Sequence, residues 1–326
     1  MYTFIKKSIV SICVGTALAA TGIAGAADFP DKPVRIVVPY TPGGFNDTLA
    51  RTVGAELTKA WSQPVMVDNR PGGNTTVGNN FVAKSAPDGY NILITPLPFS
   101  ALPGLYGNQL PYDALKDFTP LVQAGFTQNV LTVRNDLPVN SVKELLEYAK
   151  KNPGKLNYGS TGSGSSNHLS MELFMRMTDT KMTHIPYKGS AQAVLGILAG
   201  DIDVLFDNIP NVSTQIKAGK MKALAVTGAQ RAVLFPALPT VAESGVPGYE
   251  VTVWFGMQLP AGTPKPLVDK INRDIVKILK QPEIITKFRE QGVEVIASTP
   301  EAFGKVLQAE VPKWTQLIRD ANIKID

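Results

Sequence analysis

Short apolar runs rich in β-branched residues recur along the chain at Val34–Val38, Val65–Val67, Asn91–Thr95, Val130–Val133, Lys155–Tyr158, Met182–Ile185, Val204–Phe206, Lys222–Val226, Val251–Met257 and Val293–Ile296. Runs of this length, bounded by Gly, Pro, Asn or Asp, read as strands. Helix-like stretches alternate with them. The clearest is Ser141–Lys151, where Val142, Leu145, Leu146 and Ala149 share one helical face and Ser141 with Glu144 forms a capping box. It stops at Asn152-Pro153-Gly154. Thr263-Pro264 and Thr299-Pro300 have the N-cap and first-turn chemistry of two further helices, and Pro312 should kink or split the last one. Strand–helix alternation predicts an α/β architecture with largely parallel sheets.

Two strand ends carry an unusual turn. Val34–Val38 runs into Pro42-Gly43-Gly44 and then a helix start, with Asn46 or Asp47 as N-cap candidates. Leu156-Asn157-Tyr158 runs into Gly159-Ser160-Thr161-Gly162-Ser163-Gly164-Ser165-Ser166-Asn167 and then a helix from His168. A glycine turn at a helix N-terminus leaves backbone N–H groups pointing outward, a ready anion site. Two such turns, far apart in sequence, suit two lobes facing a shared cleft. A chain of 326 residues is also long for one core.

Lys6 and Lys7, the apolar stretch from Ser8 to Thr21 and Ala24-Gly25-Ala26 make residues 1–26 a cleaved signal peptide, with the mature chain starting at Ala27. That expectation places the protein in a bacterial periplasm. The one cysteine, Cys13, falls inside this segment, so the mature chain has no disulfide and no thiol chemistry. The full chain has 32 basic and 27 acidic residues; removing Lys6 and Lys7 leaves 30 against 27, or +3. The basic residues are scattered and not interleaved with aromatics, which argues against nucleic-acid binding.

Catalytic and cofactor chemistries find little to use. The turn at 159–165 lacks the third glycine of a dinucleotide fingerprint, and no Gly-Lys-Ser/Thr follows it. No G-x-S-x-G elbow occurs. The competing enzymatic reading is a secreted serine hydrolase using Ser160 or Ser165 with His168. His168 and Glu172 share a helix face at metal-ligand spacing, without a further cluster of ligands. His184 reads as structural or hinge-associated. Arg51 and Arg70 suit either a carboxylate clamp or braces for the turns, and bracing is preferred. A third reading is a structural or adhesive exported protein.

The motifs Pro39-Tyr40-Thr41-Pro42-Gly43-Gly44-Phe45-Asn46-Asp47, Val67-Asp68-Asn69-Arg70-Pro71-Gly72, Pro87-Asp88-Gly89-Tyr90, Tyr158-Gly159-Ser160-x-Gly162-x-Gly164-Ser165, His184-Ile185-Pro186-Tyr187-Lys188-Gly189, Pro239-Thr240-Val241-Ala242-Glu243 and Pro260-Ala261-Gly262-Thr263-Pro264 occur in order. In these the chain resembles the periplasmic substrate-binding proteins of tripartite tricarboxylate transporters, the Bug-type receptors. The resemblance implies a type II periplasmic-binding-protein fold, with two α/β lobes, no enzymatic activity and no cofactor. Lobe one would comprise 27–125 and 229–326, lobe two 126–228, with chain crossings near Gln123–Gln128 and Val226–Arg231. It implies a small organic carboxylate held between the turns and passed, by a monomeric receptor, to permease subunits of such a transporter. One jaw would be Pro42, Gly43, Gly44, Phe45 and Asn46, flanked by Tyr40 and Asp47. The other would be Ser160, Thr161, Gly162, Gly164 and Ser165, with Asp207 toward the distal part of the ligand. Two departures, Pro71-Gly72-Gly73-Asn74-Thr75 and Pro96-Leu97-Pro98-Phe99-Ser100, bring bulk where small residues are usual. With Phe45, they place Phe99 in the site and suggest an aromatic or otherwise apolar carboxylate.

Overall fold

The computed structural model describes residues 29–325; the expected signal peptide and Cys13 lie outside the described residues. The chain opens as two β–α–β units: β1 (Val34–Val38), α1 (Phe45–Trp61), β2 (Val65–Asn69), α2 (Thr76–Ala83) and β3 (Asn91–Pro96), with all three strands parallel. Val34, Ile36, Val37 and Val38 are completely buried, as a strand covered on both faces requires. A 3-10 turn (Leu97–Ala101), α3 (Leu102–Tyr106) and a second 3-10 turn (Gly107–Gln109) lead to β4 (Phe118–Thr127).

After Gln128 alone, β5 (Asn129–Val133) begins the second sheet. There follow α4 (Val142–Lys151), β6 (Asn157–Ser160), α5 (Ser166–Thr178), β7 (Thr183–Pro186), α6 (Ser190–Ala199), β8 (Val204–Asn208), α7 (Ile209–Lys217) and β9 (Lys222–Val226). The chain then returns with β10 (Val253–Pro260), α8 (Lys265–Leu279), α9 (Pro282–Glu290), β11 (Glu294–Val295) and α10 (Pro300–Asp320). The first sheet has the order β11-β4-β10-β3-β1-β2 and the second β7-β6-β8-β5-β9. The α/β, two-sheet architecture is as expected.

Several details differ from the sequence reading. The sheets are mixed: β10 runs antiparallel to β3 and β4, β11 to β4, and β5 to β8 and β9. Crossing strands enter each sheet from the opposite lobe, so they run against the β–α–β strands already there. β4 was not anticipated, because Thr119, Pro120, Gln123 and Gly125 interrupt its apolar character. Helix α10 runs unbroken through Pro312, since Phe303, Leu307, Trp314, Leu317 and Ile318 bury one face of it. Thr299 and Ser141 cap α10 and α4 as predicted, whereas α8 is capped one residue later, at Pro264.

The chain passes from the first sheet to the second at Thr127–Asn129, at the C-terminal end of the expected Gln123–Gln128 span. The second crossing does not lie at Val226–Arg231. Thr240 bridges to Val226, Tyr249 stacks on Phe206 at 6.2 Å, and its hydroxyl donates to the Ser170 carbonyl at 2.8 Å. Residues 229–250 therefore stay with the second sheet, and the return passes through Val251–Val253. Thr227 joins the two crossings: it donates to the Val251 carbonyl at 2.8 Å and accepts the Asn129 N–H at 2.9 Å.

Gly256 on β10 lies beneath the Phe303 ring of α10, where a Cβ would sit 2.2 Å from Cζ. A ring wedged in a core cannot swing aside as a flexible tip can. Gly256→Ala is expected to destabilise the fold by about 2 kcal/mol, read as a lower urea midpoint at unchanged slope.

Candidate functional site

The carboxyl ends of β1, β2 and β3 share one edge of the first sheet, and those of β6, β7 and β8 share one edge of the second. Ligands of open α/β sheets bind outside such edges. The two edges face each other. Asn74 Nδ2, in the loop after β2, donates to the Ser163 carbonyl in the loop after β6 at 3.3 Å. Gly164 is seated so closely against α3 that a Cβ there would lie 2.4 Å from Leu105 Cδ1.

On the first lobe, Gly43 adopts φ +103° and Gly44 caps α1 without a side-chain bond. Neither Asn46 nor Asp47 is the N-cap. Asp47, one turn in, reaches back instead: Oδ2 accepts Gly43 N–H at 3.2 Å and Arg51 Nε at 2.9 Å, and Oδ1 accepts Asn69 Nδ2 at 3.0 Å. Those donors, the Arg51 bond foremost, hold its carboxyl below the usual carboxylate range against the effect of burial. Asp47 thus braces the turn, with both carboxylate oxygens engaged inside the first lobe. Arg51 and Arg70 are braces too, the latter pairing with Asp68 at 2.7 Å and covering the Phe81 ring. With Asp47 occupied, the N–H groups of Gly44, Phe45 and Asn46 take no acceptor from the described chain, and Asn46 Oδ1 is buried without a partner. Pro42, Gly43 and Gly44 are exposed. Phe45 is half-buried and packs on Phe255 at 4.5 Å and Phe288 at 5.1 Å. Tyr40 is partly buried, which pushes its hydroxyl pKa up and keeps it protonated.

Phe99 is not in the cleft. It is 1% exposed and packs on Tyr112 and Phe118 in the core of the first lobe. The apolar run after β3 turns inward because it continues as the 3-10 turn that α10 covers. Asn74 serves the lobe contact described above. Neither departure from the family pattern therefore supports an aromatic ligand.

On the second lobe the hydroxyls are largely committed. Ser160 is fully buried; its Oγ accepts Gly162 N–H at 3.0 Å and meets His184 Nε2 at 2.6 Å. Thr161 Oγ1 donates to Asn167 Oδ1 at 2.8 Å, and Asn167 Nδ2 donates to the Phe206 carbonyl at 2.9 Å. Ser165 caps α5, accepting His168 N–H at 3.3 Å. The N–H groups of Ser166 and Asn167 at the start of α5 take no acceptor from the described chain. Gly162 and Gly164, at φ +102° and +79°, set the turn. Ser160 is joined to His184, and His168 Nδ1 accepts Gly164 N–H at 3.3 Å. No cluster of three metal-ligating side chains occurs among the described residues, and no described helix is long and apolar enough to cross a membrane.

Asp207 is also more enclosed than expected. Its Oδ1 accepts from Ser190 Oγ, the Asn208 N–H and Asn211 Nδ2 at 3.0, 2.7 and 2.9 Å, while Oδ2 is buried without a partner. Burial pushes its pKa up despite those donors. A carboxyl raised in the folded state adds stability below its unfolded pKa and loses it as pH rises. Asp207→Asn is therefore expected to raise stability at neutral pH by about 1 kcal/mol, with the gain vanishing below the ordinary carboxylate range, measured by urea unfolding against pH.

The turns recruit nothing from the hinge recess, which is apolar and lined by Thr127, Gln128, Ile209, Ala232 and Gly292. The Pro42–Asn46 turn makes no hydrogen bond to the second lobe; Asn74 and α3 make the contact instead. Asn74 joins the lobes instead of adding bulk at the ligand, and His184 supports the turn through Ser160. Their motifs were visible, but their partners lie 89 and 24 residues away.

Residues 49–323 match the model of the tripartite tricarboxylate transporter family receptor. The chain belongs to that family. Among curated relatives of this receptor, protein BugT of Bordetella pertussis is 33% identical over 316 residues, covering 96% of this chain and 97% of the relative. Among solved structures, Rpa4515 of R. palustris with adipate is 37% identical with a TM-score of 0.82, covering 91% and 99% of the two chains. MatC of Rhodopseudomonas palustris with bound malate is 30% identical, with a TM-score of 0.78 and coverage of 89% and 100%. The family and its structural neighbours, which include the periplasmic binding protein BugD, are solute-binding proteins with two lobes.

Proposed function

We propose that this receptor family member is exported to the periplasm by cleavage of residues 1–26. There it captures a small aliphatic dicarboxylate between its lobes and, as a monomer, delivers it to the permease of a tripartite tricarboxylate-type transporter. Lobe two is the unit 129–251 and lobe one the remainder. The contacting groups are the free N–H groups of Gly44, Phe45 and Asn46, the Asn46 amide, and the N–H groups at the start of α5, with Phe45 as the apolar floor. Thr161, Gly162, Gly164 and Ser165 shape the second jaw.

The observation that carries the reading is the facing of the two carboxyl edges, fixed by the Asn74–Ser163 bond, with an open helix N-terminus on each side. An anion between them gains from both helix ends only when the lobes are shut, so it favours closure. Charge-assisted hydrogen bonds contribute about 1.5–3 kcal/mol each, so several suffice for micromolar affinity after the entropic cost of binding. The relatives solved with adipate and with malate both hold dicarboxylates, which supports this ligand class.

Native mass spectrometry of protein as purified, followed by thermal unfolding with malate, adipate, citrate and benzoate, tests it. A ligand at a hundred times its Kd should stabilise the protein by about 2.7 kcal/mol. A melting temperature unmoved by every carboxylate, with no retained ligand, refutes the proposal.

A further inference from the structure

Directly behind the lobe-two turn stand the two histidines of the chain. His184, on β7, meets Ser160 Oγ through Nε2 at 2.6 Å, and His168, in the first turn of α5, accepts Gly164 N–H through Nδ1 at 3.3 Å. Their ring centroids are 4.4 Å apart, and Tyr158 of β6 stacks on both, at 4.9 Å from His184 and 6.2 Å from His168. Glu172, one turn along α5, has Oε1 3.8 Å from His168 Nε2 and accepts the Tyr158 hydroxyl at 2.6 Å. Tyr158 from β6 and Glu172 from α5 are thus titratable groups that face the pair.

Hydrogen-bond polarity ties this cluster to the turn. An Nδ1 that accepts an N–H must carry a lone pair, so His168 is the neutral tautomer with its proton on Nε2, toward Glu172. A proton on Nδ1 would set one donor against another and break the bond to Gly164. Ser160 Oγ accepts Gly162 N–H and meets His184 Nε2, which serves there as donor or acceptor according to its tautomer. Two imidazoles this close also resist holding a charge each. Neutral His168 therefore positions the Gly164 amide, and His184 holds the hydroxyl that accepts the Gly162 amide.

We propose that His168 and His184 are positioning residues whose uncharged state keeps the lobe-two turn in its anion-accepting shape, so that carboxylate affinity falls when the pair takes up a proton. This rests on the carboxylate-receptor reading above. It makes ligand release responsive to acidification of the compartment.

Calorimetric titration with malate and adipate from about pH 8 to 5.5, the range over which imidazoles ordinarily titrate, tests it. The native protein should bind about tenfold more weakly at the acid end, the order of effect of one lost hydrogen bond. In a His168→Asn/His184→Gln double variant, Oδ1 and Oε1 replace the two ring nitrogens as acceptors but cannot take up a proton. It should recover, to within about threefold at the alkaline end, the affinity that His168→Ala/His184→Ala loses, with a profile flat apart from the ligand's own titration. A native profile no steeper than the double variant's overturns the proposal while leaving the receptor reading intact. A native protein that binds no carboxylate at any pH overturns both. Because the chain has only these two histidines, proton NMR of their Cε1–H resonances gives a second measurement on unmodified protein. By reciprocity, bound malate must lower their titration midpoints; unchanged or raised midpoints overturn the proposal.

Discussion

Replacing Gly164 by valine is expected to weaken dicarboxylate binding about a hundredfold, a loss of about 2–3 kcal/mol, while the ligand-free protein stays folded. Gly164 adopts φ +79°, a region that β-branched residues avoid. A Cβ would also sit 2.4 Å from Leu105 Cδ1 and 3.7 Å from Ala101 Cβ, both on the opposite lobe. The backbone strain is felt in every folded conformation, but the contact exists only with the lobes together. Parting the lobes relieves it, so the substitution acts mainly against the ligand-holding state. Leu105→Ala in the same chain should restore part of the affinity by removing the contact and not the strain. Isothermal titration of the two variants separates the terms. An unchanged Kd in Gly164→Val would mean that this seat plays no part in capture.

Asp47→Ala is expected to cost about 3 kcal/mol of fold stability and at least tenfold in affinity, because three donors each lose an acceptor at once, Asn69 Nδ2 keeping only the Tyr40 carbonyl. Most of that comes from Gly43 N–H and Asn69 Nδ2; the Arg51 side chain is 55% exposed, and solvent screens its ionic share. Without Asp47 the Gly43 turn is free to rotate, and the first open N–H groups of α1 lose their aim. The pH dependence has a definite sign. A carboxyl whose pKa is lowered in the folded state contributes fully above its unfolded value of about 3.8 and loses that contribution as pH falls through the lower folded value. The stability gap between native protein and Asp47→Ala should therefore be constant from neutral pH down to about pH 4 and close below it. Urea unfolding at a series of pH values measures this. A gap that widens in acid would show that Asp47 is not the ionised acceptor of the turn.

Most of the secondary structure was legible in the chain itself. The strands at Val34–Val38, Asn129–Val133 and Val204–Asn208 are mainly β-branched and apolar, and Ser141 carries its cap three residues from Glu144. Each depends on neighbours within a few positions. The failures share the opposite property. β4 was hidden because its polar residues are paired across the sheet with β10, more than a hundred residues later. The return to the first lobe lies later than the chain suggests, because the Thr240–Val226 bridge and the packing of Tyr249 on Phe206 and its bond to Ser170 keep 229–250 with the second sheet.

The site divides in the same way. By its own residues the sequence determined that there are two glycine turns at helix starts, that Cys13 is the one cysteine, and that the motifs are those of the tripartite tricarboxylate transporter receptor family. Backbone conformation and family pattern are local or linear properties, and a single chain displays them. Which donors stay open to a ligand was decided only by the tertiary structure. Ser160, Asp47 and Asp207 read as contacts along the chain, yet each is occupied by a group 24, 22 or 17 residues away: His184, Asn69 and Ser190. A buried polar atom takes the nearest partner that folding brings to it, and what remains unpaired when the lobes have packed is what the ligand can use.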